Sequence, residues 1–324
     1  MVNKYGFRSE KEKRFPSIVH METNNICNLK CIHCPHRNIT VLIPDYVPQS
    51  MSWDVFKKVV DEVAEAGSVL RFTNDGEPTL HKDFLRQIKY IQERGVKTFA
   101  FNTNGLCLEG EKLDAVLMPS DTNIAIEVSL DAFFKKTYDQ IRIGSDYQKV
   151  MANIYTFLRE RDKKGLKNKK IMVSIIDQPE VAEEINLFEK FWSQIVDKII
   201  KRTYVDTKGI LESKSKSGSM VPKDRWPCVL PFTRIMIGYD GRVRFCPDDW
   251  KKESIIGDIQ KSTISEIWYS EKYKALRAAH LAVIQNKKAL DTIVPCNYCK
   301  EWQAIRWDYD YMVALRSLFG VKDD

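Results

Sequence analysis

The sequence predicts an α/β protein: a partial (β/α)6 barrel followed by a small C-terminal domain of one β-hairpin and helices. Strand-like and helix-period segments alternate from about residue 17 to residue 205. Residues 207–227, rich in Lys, Ser, Gly and Pro, lack this periodicity and are typical of a linker. Two β-like runs then flank Asp240 and Gly241, a pair that favours a hairpin turn. We therefore assign residues 1–206 to the barrel, 207–227 to a linker and 228–324 to the C-terminal domain.

The barrel elements follow one another in order along the chain. The predicted strands are residues 17–23, 69–74, 96–104, 123–131, 170–176 and 197–205. The predicted helices between them are residues 52–67, 83–95, 109–117, 147–162 and 183–195. The first of these begins at Ser52, a good N-cap residue, and stops at Gly67. Such units form right-handed crossovers, so we expect a parallel sheet with functional residues at the C-terminal strand ends.

Helices also complete the C-terminal domain. After the hairpin, residues 262–284 have helical periodicity and open with a Ser/Glu capping pattern. A final helix is predicted from about Glu301 to Phe319. The domain is therefore expected to consist of the hairpin and these two helices.

Composition and charge restrict the class of protein. The chain has 324 residues, 44% of them hydrophobic, which is enough for a substantial core. No apolar stretch reaches the roughly 20 residues of a membrane span or resembles a secretory signal, so we expect a cytoplasmic protein without membrane contact. The net charge of +7 is concentrated in residues 161–170 and 212–225, which we interpret as surface connections. Neither run carries interleaved aromatics, which argues against nucleic acid, whereas the charge mildly favours a phosphorylated or carboxylated substrate.

The first cysteine cluster follows the first strand. Eight cysteines in a reducing compartment indicate metal or cluster ligands rather than disulfides. Cys27, Cys31 and Cys34 supply three thiolates and no obvious fourth ligand. A closed zinc site needs four ligands, and His33 or His36 would complete one; a cubane iron–sulfur cluster held by three cysteines keeps one iron free. Both interpretations stay open at this point.

The second cluster lies in the C-terminal domain. It consists of Cys228, Cys246, Cys296 and Cys299. Four thiolates are enough to close either a zinc site or a cubane. A fully ligated cluster would have no free iron for substrate, so its expected role is to accept or relay an electron.

The stretch CNLKCIHC at residues 27–34 resembles the cluster loop of the radical S-adenosylmethionine (SAM) superfamily. Three later motifs, each after a successive strand, resemble the segments that line the SAM pocket in that family: NDGEP at 74–78, NTNG at 102–105 and SLD at 129–131. Asp75 stands where the family usually has a glycine. The resemblance implies that the first three cysteines hold a [4Fe-4S] cluster whose free iron binds SAM. The implied pocket residues are His33, Asp75, Gly76, Glu77, Pro78, Asn102, Asn104, Ser129 and Asp131.

The spacing of the second cysteine cluster, with Gly241 between its first two members, resembles the SPASM auxiliary-cluster domain in its shortened form, twitch. This resemblance implies an auxiliary [4Fe-4S] cluster held by four cysteines. The whole architecture resembles the twitch-type alcohol dehydrogenases that act on aminocyclitols. For such an enzyme, a flavodoxin- or ferredoxin-type protein is the implied electron donor, and reductive cleavage of SAM generates a 5′-deoxyadenosyl radical that abstracts hydrogen from the substrate.

Four functional hypotheses follow. The first is oxidation of a small-molecule alcohol, with Arg202, Tyr204 and Asp177, near the ends of the fifth and sixth strands, as candidates for the base. The second is peptide modification, against which we count the 26 residues before Cys27, too few for a leader-recognition domain. The third is epimerisation with Cys107 as hydrogen donor, although a small buried thiol at that position needs no function. The fourth, a non-catalytic zinc-binding interaction protein, predicts a colourless protein, whereas two cubanes predict a brown one with about eight irons per chain.

Overall fold

The computed structural model describes residues 5–73, 75–212, 214, 224–308 and 311–320. The strands of the barrel are β1 Ile18–Met21, β2 Val69–Phe72, β3 Thr98–Thr103, β4 Asn123–Ser129, β5 Lys169–Asp177 and β6 Lys198–Thr203. Three further strands are β7 Arg234–Ile237, β8 Arg242–Arg244 and β9 Ile255–Asp258. The six predicted barrel strands are thus confirmed, each within about two residues.

The helices cover the outer face of the sheet and its connections. In the first half of the chain they are α1 Glu10–Arg14, α2 Ile39–Leu42, α3 Trp53–Ala66, α4 Phe84–Glu93, α5 Gly110–Val116 and α6 Lys135–Ile141. In the second half they are α7 Tyr147–Lys163, α8 Ile185–Trp192, α9 Leu230–Thr233, α10 Ile264–Tyr269, α11 Glu271–Ala282 and α12 Tyr311–Phe319. Short 3-10 turns lie at Pro35–Asn38, Pro78–Leu80, Pro179–Val181 and Glu301–Gln303. None of the helices within the described ranges has the length and apolar character needed to cross a bilayer.

The strands form one sheet in the order β6-β5-β4-β3-β2-β1-β7-β8-β9. Strands β1 to β6 are parallel, as expected of βαβ crossovers. The predicted hairpin is β7–β8, with Gly241 at a φ of +79° in its turn. Strand β7 also pairs in parallel with β1, and the sheet therefore continues from the barrel into the C-terminal region.

Two apolar layers hold the sheet. The larger packs the helices onto its outer face, as Phe56 of α3 and Phe99 of β3 illustrate, both fully buried. The smaller lies inside the barrel at the N-terminal ends of the strands, where Tyr311 and Leu315 of α12 cover residues such as Ile18. Helix α12 therefore closes one end of the barrel and leaves the C-terminal ends of the strands as the accessible face.

Several predicted features differ in the structure. The helix expected over 262–284 is two helices, because Ser270 is extended and caps α11 by accepting a hydrogen bond from the Tyr273 amide at 3.3 Å. The helix expected from Glu301 to Phe319 is not continuous: Glu301–Gln303 form a 3-10 turn, and the described helix α12 covers Tyr311–Phe319. The basic run 161–170 is not wholly a surface connection, because Lys169 is buried at the start of β5 and donates to the Thr122 carbonyl at 2.8 Å. Of the predicted linker, residues 213 and 215–223 lie outside the described residues.

Candidate active site and cluster-binding cysteines

Cys27, Cys31 and Cys34 lie together on the loop that follows β1. Burial raises the pKa of all three thiols, that of Cys27 to about 11. The nearby charge of Cys31 raises the pKa of both Cys27 and Cys34 further. Thiolates in such a place need a strong cationic partner to stay ionised, and thiolate sulfur is the ligand that iron–sulfur clusters use. The three side chains therefore fit a cluster held by three cysteines.

Two asparagines fix this loop. Asn24 accepts from the Ile26 amide at 2.8 Å through its side chain and donates to the Glu77 carbonyl at 3.1 Å. The Asn25 side chain donates to the Val47 carbonyl at 2.9 Å and accepts from the Gln49 amide at 2.7 Å. Both side chains are buried, so their hydrogen bonds are not shared with bulk water. The loop is thus tied to the end of β2 on one side and to the approach to α3 on the other.

The two histidines of the loop have different surroundings. His36 Nε2 lies 2.9 Å from the Asn25 carbonyl and so carries the donated proton. His33 is buried between the ends of β4 and β5, with Nε2 3.3 Å from an Asp131 oxygen and Nδ1 3.5 Å from Gln178 Nε2. Burial lowers the pKa of His33 to about 4 despite the carboxylate. At neutral pH its imidazole is uncharged and forms a wall of the site.

Arg142 is a residue of this site that the motifs do not report. It lies just after α6, a helix the sequence analysis did not predict, and is buried. Its Nη1 donates to Cys31 Sγ at 3.6 Å, and its Nη2 pairs with Asp131. Asp131 also accepts from the Ile176 amide at 3.1 Å and adopts a positive φ of 57°. The predicted pocket residue Asp131 therefore anchors a guanidinium beside one of the cysteines.

Glu77 is buried and fully engaged by the protein. Its carboxylate accepts from the Thr79 hydroxyl at 2.6 Å, the Thr103 hydroxyl at 2.7 Å and the Asn104 amide at 2.7 Å. Asn104 in turn donates to the Asn28 side chain on the cysteine loop at 2.8 Å. Glu77 thus joins the loop after β2 to the loop after β3. Its role in the structure is to shape the pocket through these contacts.

Gly76 lies directly against the cysteine loop. A Cβ at this position would come within 2.3 Å of the Asn24 carbonyl oxygen and 2.9 Å of the Ile26 nitrogen, both main-chain atoms. We expect Gly76→Ala to lower SAM affinity by about tenfold or more, because a main chain that has to move displaces the pocket. Equilibrium dialysis of the cluster-loaded protein against labelled SAM measures this.

Gly95→Ala is the matched control for that substitution. Gly95 has a φ of +69° but no atom within 4 Å of an added Cβ. Alanine there costs about 1 kcal/mol through backbone strain alone. SAM affinity should then stay at the wild-type value, and an equal loss in both variants would show that general destabilisation, rather than the close approach at Gly76, is responsible.

A buried charged group links the two parts of the chain. Arg244 of β8 donates to Glu22, the residue after β1, at 3.0 Å and lies 3.9 Å from Asp75. Burial and the neighbouring Asp75 raise the pKa of Glu22 well above its ordinary value. The Glu22 and Asp75 carboxyl groups also hydrogen-bond to each other, and this contact contributes to the raised pKa of Glu22. The aspartate that replaces the family's glycine is therefore held in place from the C-terminal hairpin.

Two other predicted pocket residues lie at the strand ends. Asn102 accepts through its side chain from Arg71 Nη2 at 2.7 Å and faces the barrel interior. Ser129 ends β4, half-buried, in register with Ser174 of β5. Pro78 opens the 3-10 turn that Glu77 caps. Asn74 of the same motif lies outside the described residues.

The second set of cysteines lines one cavity. Its members are Cys228, Cys246, Cys296 and Cys299. Burial raises the pKa of each thiol, and the nearby charges of the other cysteines raise the pKa values of Cys228, Cys246 and Cys296 further. Four half-buried cysteines around one space fit a fully ligated cluster.

Basic and neutral groups surround that cavity. Lys208, in the predicted linker, is only 4% exposed and donates to Glu301 Oε2 and to the Asp248 carbonyl, both at 2.7 Å. His280 accepts from the Cys228 amide at 3.3 Å and has its other ring nitrogen 3.5 Å from Cys296 Sγ. These residues carry no motif. Lys208 and His280 are more than ten residues from any cysteine, so no sequence pattern indicates them, and Glu301, two residues after Cys299, belongs to no recognised motif.

A separate cavity of about 560 Å³ occupies the barrel interior. By strand alternation, the inward-facing layer above the apolar one includes His20, Arg71, Asn102 and Arg202, all of which line it. Glu127 of β4 lies behind them, fully buried. Its carboxylate accepts from Arg71 at 3.1 Å and from Arg202 at 2.5 Å. Burial alone would raise the pKa of Glu127, but the two guanidinium groups outweigh it and hold that pKa below its ordinary value.

The predicted catalytic candidates therefore do not lie together around one cavity. Arg202 lines the barrel cavity, whereas Tyr204, Asp177 and Cys107 are absent from the lining as far as the described residues show. The Tyr204 hydroxyl donates to the Glu212 carbonyl at 2.8 Å, away from the cavity. Cys107 is half-buried against the core that the outer helices cover. His20 and Arg71 were not among the predicted site residues, although both occupy inward positions of correctly predicted strands.

The comparisons with known proteins agree with this site. Residues 21–181 match the family model of the radical SAM superfamily, and the chain thus carries a radical SAM domain. Residues 228–301 match the model of the SPASM iron-sulfur cluster-binding domain, which follows it. The cofactors are accordingly S-adenosylmethionine and [4Fe-4S] clusters.

Individual relatives share the fold at low identity. GTP 3′,8-cyclase of Mannheimia succiniciproducens is 25% identical over 194 residues, which are 58% of this chain and 52% of the relative. The chain thus spans about half the length of that relative. SuiB of Streptococcus suis, bound to its precursor peptide SuiA, superposes with a TM-score of 0.66 at 13% identity, covering 82% of this chain and 67% of SuiB. The anSMEcpe protein with bound AdoMet superposes with a TM-score of 0.61 at 15% identity, covering 94% of this chain and 96% of anSMEcpe.

Proposed function

We propose that this protein is a radical SAM oxidoreductase that removes hydrogen from a small-molecule alcohol, such as a sugar or cyclitol, and passes an electron to its auxiliary cluster. In this proposal Cys27, Cys31 and Cys34 hold the SAM-binding cluster. Cys228, Cys246, Cys296 and Cys299 hold the auxiliary cluster. Bound SAM and its reduced cluster supply a hydrogen-abstracting 5′-deoxyadenosyl radical.

One observation carries the proposal. The barrel cavity and the four-cysteine cavity are neighbours whose walls share Leu230, Glu301 and Ile305. A substrate in the barrel would be separated from the auxiliary site only by this wall. Such a short separation suits transfer of an electron from a substrate radical, which is what an oxidation requires.

The chain's own residues position the cofactor in this account. Arg244 lies 3.9 Å from Asp75, the residue before Gly76, and we assign the Asp75 carboxylate to accept from the SAM ammonium group. Arg142 holds Asp131 and the Cys31 thiol in fixed relation. His33, uncharged and buried, covers the side toward β5. Together these contacts exclude water from the reacting atoms.

Replacement of an auxiliary ligand tests the proposal. We expect Cys228→Ala to lose about four of about eight irons per chain, to cleave SAM within about twofold of wild type, and to form no oxidised product. The assay offers sugars, cyclitols and their phosphorylated or carboxylated derivatives anaerobically and measures 5′-deoxyadenosine and product. Product at wild-type yield in Cys228→Ala would exclude the auxiliary cluster as electron acceptor.

Peptide modification is the second candidate, favoured by the shape of the cavity. A further cavity of about 530 Å³, lined by Tyr5, Trp226 and Trp307, shares Arg306 with the barrel cavity. A long substrate would extend from one into the other and place apolar side chains on the aromatic rings. Short peptides in the same assay separate the two candidates, because only one class should raise 5′-deoxyadenosine above the substrate-free rate.

A further inference from the structure

His280 is a buried histidine that contacts two cysteines of the auxiliary set. It lies near the end of α11, is 1% exposed and lines the four-cysteine cavity. Its Nδ1 accepts a hydrogen bond from the Cys228 amide at 3.3 Å, and its Nε2 lies 3.5 Å from Cys296 Sγ. One imidazole therefore joins two cysteines that are far apart in the sequence.

The Cys228 amide fixes the tautomer of this ring. A main-chain N–H can only donate, so Nδ1 carries no proton and the proton of the neutral imidazole is on Nε2. Nε2 is the nitrogen beside Cys296, and its N–H is therefore directed at the sulfur. A thiol is a weak acceptor, whereas a cluster-bound thiolate is a strong one. The contact thus fits Cys296 as a cluster ligand better than as a free thiol.

Helix α11 holds the imidazole in this position. Its buried side chains Tyr273, Arg277 and His280 follow one another at intervals of four and three residues and so lie on one face. Arg277 donates to the Pro231 carbonyl at 2.8 Å and thereby ties the helix to the segment that begins at Cys228. The position of His280 is thus set by the packing of α11 as well as by its own two contacts.

The charged side chains at the same cavity have other partners. Lys208 forms an ion pair with Glu301 at 2.7 Å, and Arg225 donates to the main-chain carbonyl of Cys296 at 2.8 Å. Neither of these two hydrogen bonds goes to a cysteine sulfur. An N–H donated to a ligand sulfur stabilises the added negative charge of a reduced cluster and so raises its reduction potential. His280 is the side chain that makes this contact with Cys296.

We propose that His280 is a positioning residue that raises the reduction potential of the auxiliary cluster through the hydrogen bond from its Nε2–H to Cys296 Sγ. This bond strengthens when the cluster gains an electron, because negative charge on the ligand sulfur increases. The benefit to the reaction, an auxiliary cluster that accepts an electron from a substrate radical, rests on the proposed function. The effect on the potential itself needs neither substrate nor SAM.

A redox titration of the auxiliary cluster tests this inference. The full chain with Cys31→Ala, reconstituted anaerobically, is expected to keep only that cluster, and its midpoint potential is read from the electron paramagnetic resonance signal of the reduced form. In this background we expect His280→Leu to lower the potential by about 59 mV, equivalent to a tenfold weaker affinity for the electron. His280→Gln keeps a side-chain N–H and should recover at least half of that loss.

His81→Leu is the matched control. His81 is also buried, and its Nδ1 accepts from the Asp83 amide at 3.0 Å while its Nε2 lies 3.4 Å from the Met51 carbonyl oxygen. It therefore has the same tautomer as His280, but its N–H faces a carbonyl oxygen instead of a cysteine sulfur. Its replacement should leave the potential unchanged. An equal fall in both leucine variants, or no fall in His280→Leu, would overturn the inference.

Isotope labelling keeps the test decisive if His280→Leu does not fold or retain iron. With histidine carrying the heavy nitrogen isotope in the Cys31→Ala protein, pulsed electron paramagnetic resonance should detect a weakly coupled histidine nitrogen at the reduced cluster. Absence of that coupling overturns the inference. A strong coupling does so as well, because it would make His280 an iron ligand.

The outcomes separate this inference from the proposed function. A lowered potential in His280→Leu, together with no oxidised product from the wild-type enzyme, supports the role of His280 and contradicts the proposed function. Product formation by the wild type, together with an unchanged potential in His280→Leu, does the reverse.

Discussion

Replacement of Cys31 by alanine is expected to lower 5′-deoxyadenosine formation by more than about a hundredfold, because a cluster with two protein ligands is not retained and SAM then has no reductant. Cys31 is buried in the middle of the loop, and Arg142 donates to its sulfur. The same variant should lose about four irons per chain and keep about four. Anaerobic reconstitution, iron analysis and chromatographic detection of 5′-deoxyadenosine measure both effects.

Cys107→Ala is the control for this experiment. Cys107 is a free, half-buried cysteine like most of the cluster candidates, but it packs against the outer core. Its replacement should leave iron content and SAM cleavage at wild-type values. Continued SAM cleavage by Cys31→Ala would contradict the assignment of the first cluster, and an equal defect in Cys107→Ala would show that loss of any partly buried cysteine has this effect.

The second large effect is expected on stability. Glu127→Leu leaves Arg71, whose side chain is 6% exposed, without its ion-pair partner inside the barrel. Removing one member of a buried pair costs about 3–5 kcal/mol, and we expect about 3 kcal/mol because water screens the partly exposed Arg202. The midpoint of thermal denaturation should fall accordingly.

Glu127→Gln separates charge from shape. The amide oxygen still accepts from Arg71, so the loss should be smaller than in Glu127→Leu, although two guanidinium groups then face no carboxylate at that position. A surface pair gives the reference: Asp139→Asn breaks the exposed Lys135–Asp139 contact and should change the free energy of unfolding by less than about 1 kcal/mol. Equal midpoints for Glu127→Leu and wild type would show that the buried network does not stabilise the barrel.

Periodicity was sufficient to predict the barrel. Strand β4 is rich in β-branched apolar residues, and α3 has an N-cap at Ser52 and a left-handed Gly67 at its end; both elements lie where the sequence predicted them. The missing information concerned long-range pairing. Nothing local to Arg234–Ile237 indicates that β7 pairs with β1 as well as with β8, because that choice depends on residues more than 200 positions away.

Some residues of the site could be predicted from sequence motifs, whereas others are brought together only by the fold. Cysteines separated by short, regular spacings identify a cluster loop, and Gly76 within the motif at 74–78 indicates a close approach of two main-chain segments. His20 and Arg142 have no such pattern, since each reaches the site through a different element and meets its neighbours only in the fold. Inward alternation on β1 and β2 would have pointed to His20 and Arg71 once the barrel was accepted.

The central claim is that the chain holds two [4Fe-4S] clusters with separate tasks, one open to SAM and one closed. Electron paramagnetic resonance of the reduced protein, recorded with and without SAM, tests it most directly. The account predicts two cluster signals, of which SAM alters only one, with the altered signal lost in Cys31→Ala and the unaltered one lost in Cys228→Ala. A single cluster signal, or stoichiometric zinc in the four-cysteine site, would contradict it.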